Sequence, residues 1–180
     1  LVGHSEGGAI GPMIAERDPR LAALVIMAGP GKPGAAILRD QARWPVLKTP
    51  GLTPEERRQR LTEAEAAVEA DSASPSAWLR WFYEYDPLPT ARAVRQPSLI
   101  LQGALDRQVS AGQADTLARA MKEGGNRDVT VRVFPGLNHL FLPTPGDGSP
   151  SEYPTLRQTA IPDTVLDVLT GWLRRRLGAG

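Results

Sequence analysis

Ser5, Asp106 and His139 are the three side chains of this 180-residue chain whose types and positions could carry covalent chemistry. A serine hydroxyl is a poor nucleophile near neutrality. It needs a base to take its proton, and the base needs a group that fixes its tautomer and stabilises its charged form. The chain has two histidines. His4 lies within the serine's own turn, with its side chain directed away from the serine's face, and reads as structural. His139 follows the last predicted strand, at the sheet edge where open α/β sheets place their sites. The acid belongs in the corresponding loop after the preceding strand, and Asp106 occupies it. Asp115 falls inside a predicted helix and Asp128 precedes the last strand, at the wrong end of the sheet. Together the three would make Ser5 a nucleophile, with His139 as its base and Asp106 orienting that base.

The elements that must position these groups can be traced along the chain. Gly3-His4-Ser5-Glu6-Gly7 has the G-x-S-x-G spacing of a nucleophile elbow, in which a strand turns sharply into a helix and lifts the serine clear of the sheet. Side chains at Gly3 or Gly7 are expected to collide with the neighbouring strand and helix. Ala9, Ile10, Met13 and Ile14 recur at helical spacing until Asp18-Pro19, and the helix dipole then points at the place where negative charge would develop. Leu21 to Ala28 is a nearly unbroken apolar run, as in a strand buried on both faces. From residue 32 to 95 no strand is evident. Thr53 and Glu56 form a capping box around Pro54, opening a helix with Leu61, Ala64 and Val68 inward. Ser74-Pro75 opens a second helix that carries Trp78, Trp81, Phe82, Tyr83 and Tyr85. Ser98–Gly103 is again a buried strand. Ser110 and Gln113 read as a capping box before a helix with Ala114, Leu117, Ala118 and Met121 inward, ended by Gly124-Gly125. In Val129–Phe134 the valines 129, 131 and 133 alternate with polar residues, as in an edge strand. A Pro/Gly/Ser-rich loop over 143–162 leads to a last helix with Leu166, Leu169, Leu173 and Leu177.

Composition narrows the function. With 41% apolar residues the chain can bury a core, and its net charge of +1 with interspersed signs gives no footprint for nucleic acid or an anionic membrane. Arg174-Arg175-Arg176 is read as the favourable charge of a last helical turn. No apolar run approaches the roughly 20 residues of a membrane span. The absence of cysteine excludes disulfides and a thiol nucleophile and is compatible with the cytoplasm. No metal or cofactor motif is present. The chain opens at Leu1, directly on the elbow, and is expected to be the C-terminal part of a longer protein, in which any signal peptide would lie upstream.

Taken together, three motifs resemble the C-terminal half of an α/β-hydrolase. Gly3 to Gly7 resembles that family's elbow, Gly103-Ala104-Leu105-Asp106-Arg107-Gln108-Val109 its acid loop, and Phe134-Pro135-Gly136-Leu137-Asn138-His139 its histidine loop. The resemblance implies an α/β fold, a mainly parallel sheet flanked by helices, with core segments at 1–31 and 96–180 and a helical cap insertion at 32–95. It implies a Ser5-His139-Asp106 triad, an oxyanion hole using the Glu6 backbone N–H, and a second donor from the missing N-terminal half or a partner chain. The Glu6 side chain reads as a solvated carboxylate. Aromatic residues Trp78, Trp81, Phe82 and Tyr85, with Phe141, would bind an apolar acyl or alcohol group. The elbow and insertion resemble those of carboxylesterases and of the related prolyl-oligopeptidase- or aminopeptidase-type serine peptidases, and of the two activities ester cleavage is the expected one. The contrasting expectation is a truncated, non-catalytic fragment that keeps only the fold.

Overall fold

The computed structural model describes residues 1–74 and 76–178. The chain divides into two compact units, one of Leu1–Gly31 with Pro87–Gly180, the other of Lys32–Asp86.

The first unit is built on β1 (Val2–His4), which runs into α1 (Glu6–Arg17) and back through β2 (Leu24–Met27). The second unit then contributes α2 (Gly34–Lys48), α3 (Pro54–Ala70) and α4 (Ala77–Glu84). Returning to the first unit, the chain forms α5 (Pro87–Ala93), β3 (Ser98–Gly103), α6 (Gly112–Glu123), β4 (Val129–Phe134) and α7 (Asp163–Leu177). The strands form one parallel sheet in the order β1-β2-β3-β4.

Every residue of β2 and β3 is buried, as expected of inner parallel strands covered on both faces. Their side chains alternate between two cores. Leu24, Ile26 and Ile100 meet Ala15 of α1, Ala91 of α5 and the Ala114/Leu117/Ala118/Met121 stripe of α6. Val25, Met27, Leu99 and Leu101 meet Leu137, Phe141 and, from α7, Val165 and Trp172. Each of these large apolar side chains contributes about 1.5–3 kcal/mol by leaving water.

Several expected faces are re-phased. In α1 the buried residues are Gly8, Ala9, Gly11, Pro12 and Ala15, whereas Ile10 and Ile14 are exposed. The reason is close approach: a Cβ on Gly8 would lie 2.6 Å from the Cα of Gly29, so the small residues face the sheet. In α7 the inward positions are Val165 and Trp172, flanked by Val168, Leu169 and Leu173, while Leu166 and Leu177 are exposed. Val133 of β4 is also exposed, whereas Val129 and Val131 pack against the core cluster that contains α6. Ser110 and Gln113 do not form a reciprocal capping box. The Gln113 side-chain oxygen Oε1 is taken by the Gly31 N–H at 2.9 Å.

The second unit is helical. The Thr53/Glu56 capping box forms, with the Thr53 N–H donating to Glu56 at 2.8 Å and the Glu56 N–H to Thr53 Oγ1 at 3.2 Å. Arg57 then donates to the carbonyls of Val46, Leu47 and Thr49, closing the C-terminal end of α2. The cap of α4 is Ser76, whose hydroxyl accepts from the Leu79 N–H; of the expected Ser74-Pro75 start, Pro75 lies outside the described residues. This unit ends at Asp86 rather than at residue 95. The segment after it, α5 with Val94, buries Ala91 and Val94 in the first unit's core.

Candidate active site

Parallel pairing brings the ends of β1, β3 and β4 to one edge of the sheet, and each delivers one of the three chemically competent side chains. Ser5 directly follows β1 with φ of 55° and ψ of -112°, a positive-φ backbone that a non-glycine residue adopts only under strain. The turn is held by the Ser5 N–H donating to the Met27 carbonyl at 2.9 Å and by the Gly8 N–H donating to the Ser5 carbonyl at 2.8 Å. Gly3 is required by close packing, since a Cβ there would lie 2.0 Å from the Gly7 carbonyl oxygen. The same expectation fails at Gly7. A Cβ there meets nothing within 4 Å, and the crowded partner is Gly8.

Asp106 follows β3 and is 1% exposed. Its Oδ1 accepts from the backbone N–H groups of Gln108 and Val109, each at 2.8 Å. Its Oδ2 accepts from His139 Nδ1 and from Gln102 Nε2, each at 2.8 Å. The carboxylate is thus oriented by four donors. Because it can only accept, Nδ1 of His139 carries a proton, and in the neutral ring Nε2 is the acceptor. Ser5 Oγ stands 2.9 Å from that Nε2.

His139 is 3% exposed and sits in a loop that closes on itself. Asn138, fully buried, accepts through Oδ1 from the Leu140 and Leu142 N–H groups. Its own N–H donates to the Leu142 carbonyl. The base loop is tied to the acid loop by the Leu105 N–H donating to the Leu137 carbonyl at 2.9 Å. Gly103 permits that approach: a Cβ there would lie 2.5 Å from the carbonyl oxygens of both Leu137 and Asn138.

Of the other residues singled out in the sequence, Glu6 is exposed in the first turn of α1. Asp115 is exposed on α6, and Asp128 pairs with Arg176 at 2.5 Å; neither touches His139. Arg176 also lies over the Trp172 ring, 5.4 Å from its centroid. Trp78, Trp81 and Phe82 lie on α4 of the second unit and Tyr85 caps its C-terminal end, forming two stacked pairs, Trp78 with Phe82 at 5.5 Å and Trp81 with Tyr85 at 5.0 Å. Phe141 lies in the core. It is fully buried among Val25, Leu99, Leu101 and Leu137, with its ring against Phe134 and His4.

Sequence reasoning missed two neighbours of the site. Gln102, fully buried, donates to Asp106. The signal was a polar residue in a strand apolar on both sides, which must find a polar partner when buried. His4 donates to the backbone of the base loop, its Nε2 lying 2.8 Å from the His139 carbonyl oxygen. No spacing rule announces a bond across 135 positions.

The chain matches the Alpha/beta hydrolase family over residues 1–149. It is 28% identical over 179 residues to Esterase EstD of Thermotoga maritima, covering 96% of this chain and 42% of EstD. It is 37% identical over 62 residues to Dipeptidyl aminopeptidase BIII of Pseudoxanthomonas mexicana, 34% of this chain and 9% of that protein. Among solved structures, the esterase domain from a Rhodothermus marinus protein superposes with a TM-score of 0.52 at 21% identity, over 97% of this chain and 60% of that one. The chain therefore spans less than half the length of the curated relatives named here. With the matched segment running from the elbow through both later loops, the chain belongs to the alpha/beta hydrolase family.

Proposed function

We propose that this chain carries the catalytic triad of a serine hydrolase that cleaves carboxylic esters. The observation that carries the reading is the unbroken hydrogen-bonded series from Ser5 Oγ to His139 Nε2 at 2.9 Å and from His139 Nδ1 to Asp106 Oδ2 at 2.8 Å. Ser5 Oγ attacks the ester carbonyl carbon as its proton passes to His139 Nε2. The Oγ–carbon bond forms and the carbonyl oxygen becomes the oxyanion. The Glu6 backbone N–H, in the first turn of α1 beside the nucleophile, donates to that oxyanion and is favoured there by the helix dipole. Collapse breaks the carbon–alkoxy bond, and His139 returns the proton to the departing alcohol. Water then gives a proton to Nε2 and attacks the acyl carbon; the Oγ–carbon bond breaks, Nε2 returns the proton to Ser5 Oγ, and the acid leaves. Throughout, Asp106 holds the tautomer and stabilises the imidazolium.

Ester rather than amide cleavage is favoured by the likeness to EstD, which runs over nearly the whole chain. The short likeness to a dipeptidyl aminopeptidase supports peptide cleavage as the second reading. The open edge of β1, with exposed Leu1 and Val2 beside exposed Ile10 and Ile14 of α1, is where we place the additional chain of a hydrolase as long as EstD, including the second oxyanion donor.

The test is intact-mass detection of a fluorophosphonate adduct, with Ser5→Ala as control. One adduct per chain, lost in the control, is expected. Its absence, or its persistence in Ser5→Ala, refutes an activated Ser5. Hydrolysis of a chromogenic acyl ester against the matching anilide then separates esterase from peptidase.

A further inference from the structure

We infer that His4, the residue before the nucleophile, is a positioning residue for His139. The inference rests on the reading of His139 as the general base. His4 Nε2 lies 2.8 Å from the His139 backbone oxygen. A carbonyl oxygen only accepts, so Nε2 of His4 must carry hydrogen. The bond joins the end of β1 to the peptide unit of the base itself. Among the described residues, the other backbone ties of this loop are internal, through Asn138 and from the Thr144 N–H to the Gly136 carbonyl, or run to the acid loop through Ala104 and Leu105. Those ties set the His139–Asp106 distance. The His4 tie fixes the base against the strand that carries Ser5, and so sets the Ser5–His139 distance.

The rings of the two histidines are 4.9 Å apart and tilted by 46°. His4 also meets the edge of Phe141. Part of the His4 ring is open to solvent, but the packed neighbours strip enough water to lower its pKa below the ordinary histidine value, and the adjacent His139 lowers it further. The bond to the His139 carbonyl and the Asp106 charge act in the opposite direction. The balance favours a neutral His4 near neutral pH. A neutral His4 holds the base loop without placing a second positive charge beside the imidazolium that forms during reaction.

Two measurements test this on the 180-residue chain. Because the chain has two histidines, His4→Gln leaves one imidazole and assigns both ring signals in a long-range proton–nitrogen NMR spectrum. Above neutral pH, His4 is expected as the Nε2–H tautomer. An Nδ1–H tautomer, or the exchanging mixture of a free histidine, overturns the inference. Fluorophosphonate labelling of Ser5 supplies the second measurement. His4→Ala is expected to lower the saturating labelling rate about 10- to 100-fold, as for a reacting group misplaced by a fraction of an ångström to an ångström. The half-saturating reagent concentration should stay unchanged. His4→Gln, whose amide offers an N–H at a similar reach, is expected to recover to within about threefold of wild type by keeping that bond. Equal labelling rates in wild type and in a folded His4→Ala overturn the positioning role while leaving the hydrolase reading intact. A wild-type chain that is not labelled at Ser5 refutes the hydrolase reading, and this role with it. If His4→Ala does not fold, the decision passes to His4→Gln and to the tautomer, which require only the folded chain.

Discussion

At the scale of single residues, the elbow glycines separate what a motif requires from what the molecule requires. Gly3 sits where a Cβ would lie 2.0 Å from a backbone oxygen, and Gly7 sits in the first turn of α1 with space around it. Gly3→Ala is therefore expected to destabilise the chain by about 3 kcal/mol or more, because the carbonyl it meets belongs to a helix that cannot step aside. Gly7→Ala should stabilise it by about 0.5–1 kcal/mol, since glycine in a helix loses more backbone freedom than alanine. Denaturant unfolding of the two variants checks this, and similar losses in both would mean that the α1 backbone relaxes more than the packing suggests. Asp106 shows a related economy. All four of its partners are donors, so the site is built for a carboxylate and for no isostere that carries hydrogen.

Elements are held in place by devices that a residue-level reading does not reveal. The Pro/Gly/Ser-rich stretch after the base loop is organised by one carboxylate. Glu152, in a 3-10 turn spanning Pro150–Thr155, accepts from the Thr144 hydroxyl and from the N–H groups of Asp147, Gly148 and Ser149. The stretch docks on the acid loop through Arg107 Nε donating to the Asp147 carbonyl at 2.6 Å and Gln108 Nε2 donating to the Tyr153 hydroxyl at 2.9 Å. These donors, Thr144 first, hold the Glu152 pKa below the ordinary glutamate value. A carboxylate whose folded pKa is depressed contributes stability above its unfolded pKa and loses it as pH falls through the folded value. Glu152→Gln is accordingly expected to cost about 1 kcal/mol at neutral pH, comparable to a lost helix cap. The difference from wild type should shrink towards zero as pH drops below the glutamate range. Unfolding curves at a series of pH values measure it, and a difference that is constant with pH would remove Glu152 as the source.

On the scale of the whole molecule, the edge of the sheet at β1 is the point of interest. Among the described residues β1 pairs only with β2, and Leu1 and Val2 are 43% and 48% exposed. An open edge next to apolar side chains invites pairing with another chain. Concentration-dependent association is expected in sedimentation experiments, and Val2→Lys should shift it towards the monomer by placing a charge on that edge. Association unaffected by Val2→Lys would place the contact elsewhere. Among the described residues no helix is long and apolar enough to cross a membrane.

The sequence by itself determined the order of the core elements and the three residues that meet at the end of the sheet. These depend on local chemistry: an unbroken apolar run must be buried, glycine relieves a sharp turn, and a histidine placed just after a strand reaches the sheet's edge. β3 was legible from Ser98 to Gly103 because burial on both faces leaves an unmistakable apolar run. Tertiary structure decided which helix faces point inward. In α1 small residues displaced Ile10 and Ile14 from the core because the sheet lies too close for larger ones, and in α7 Val165 and Trp172 displaced Leu166 and Leu177. It also turned Phe141 into the core and brought His4 and Gln102 to the base and the acid. Those contacts join residues far apart in the chain or across a buried loop, and their partners are fixed by packing, on which the periodicity of the sequence carries no information.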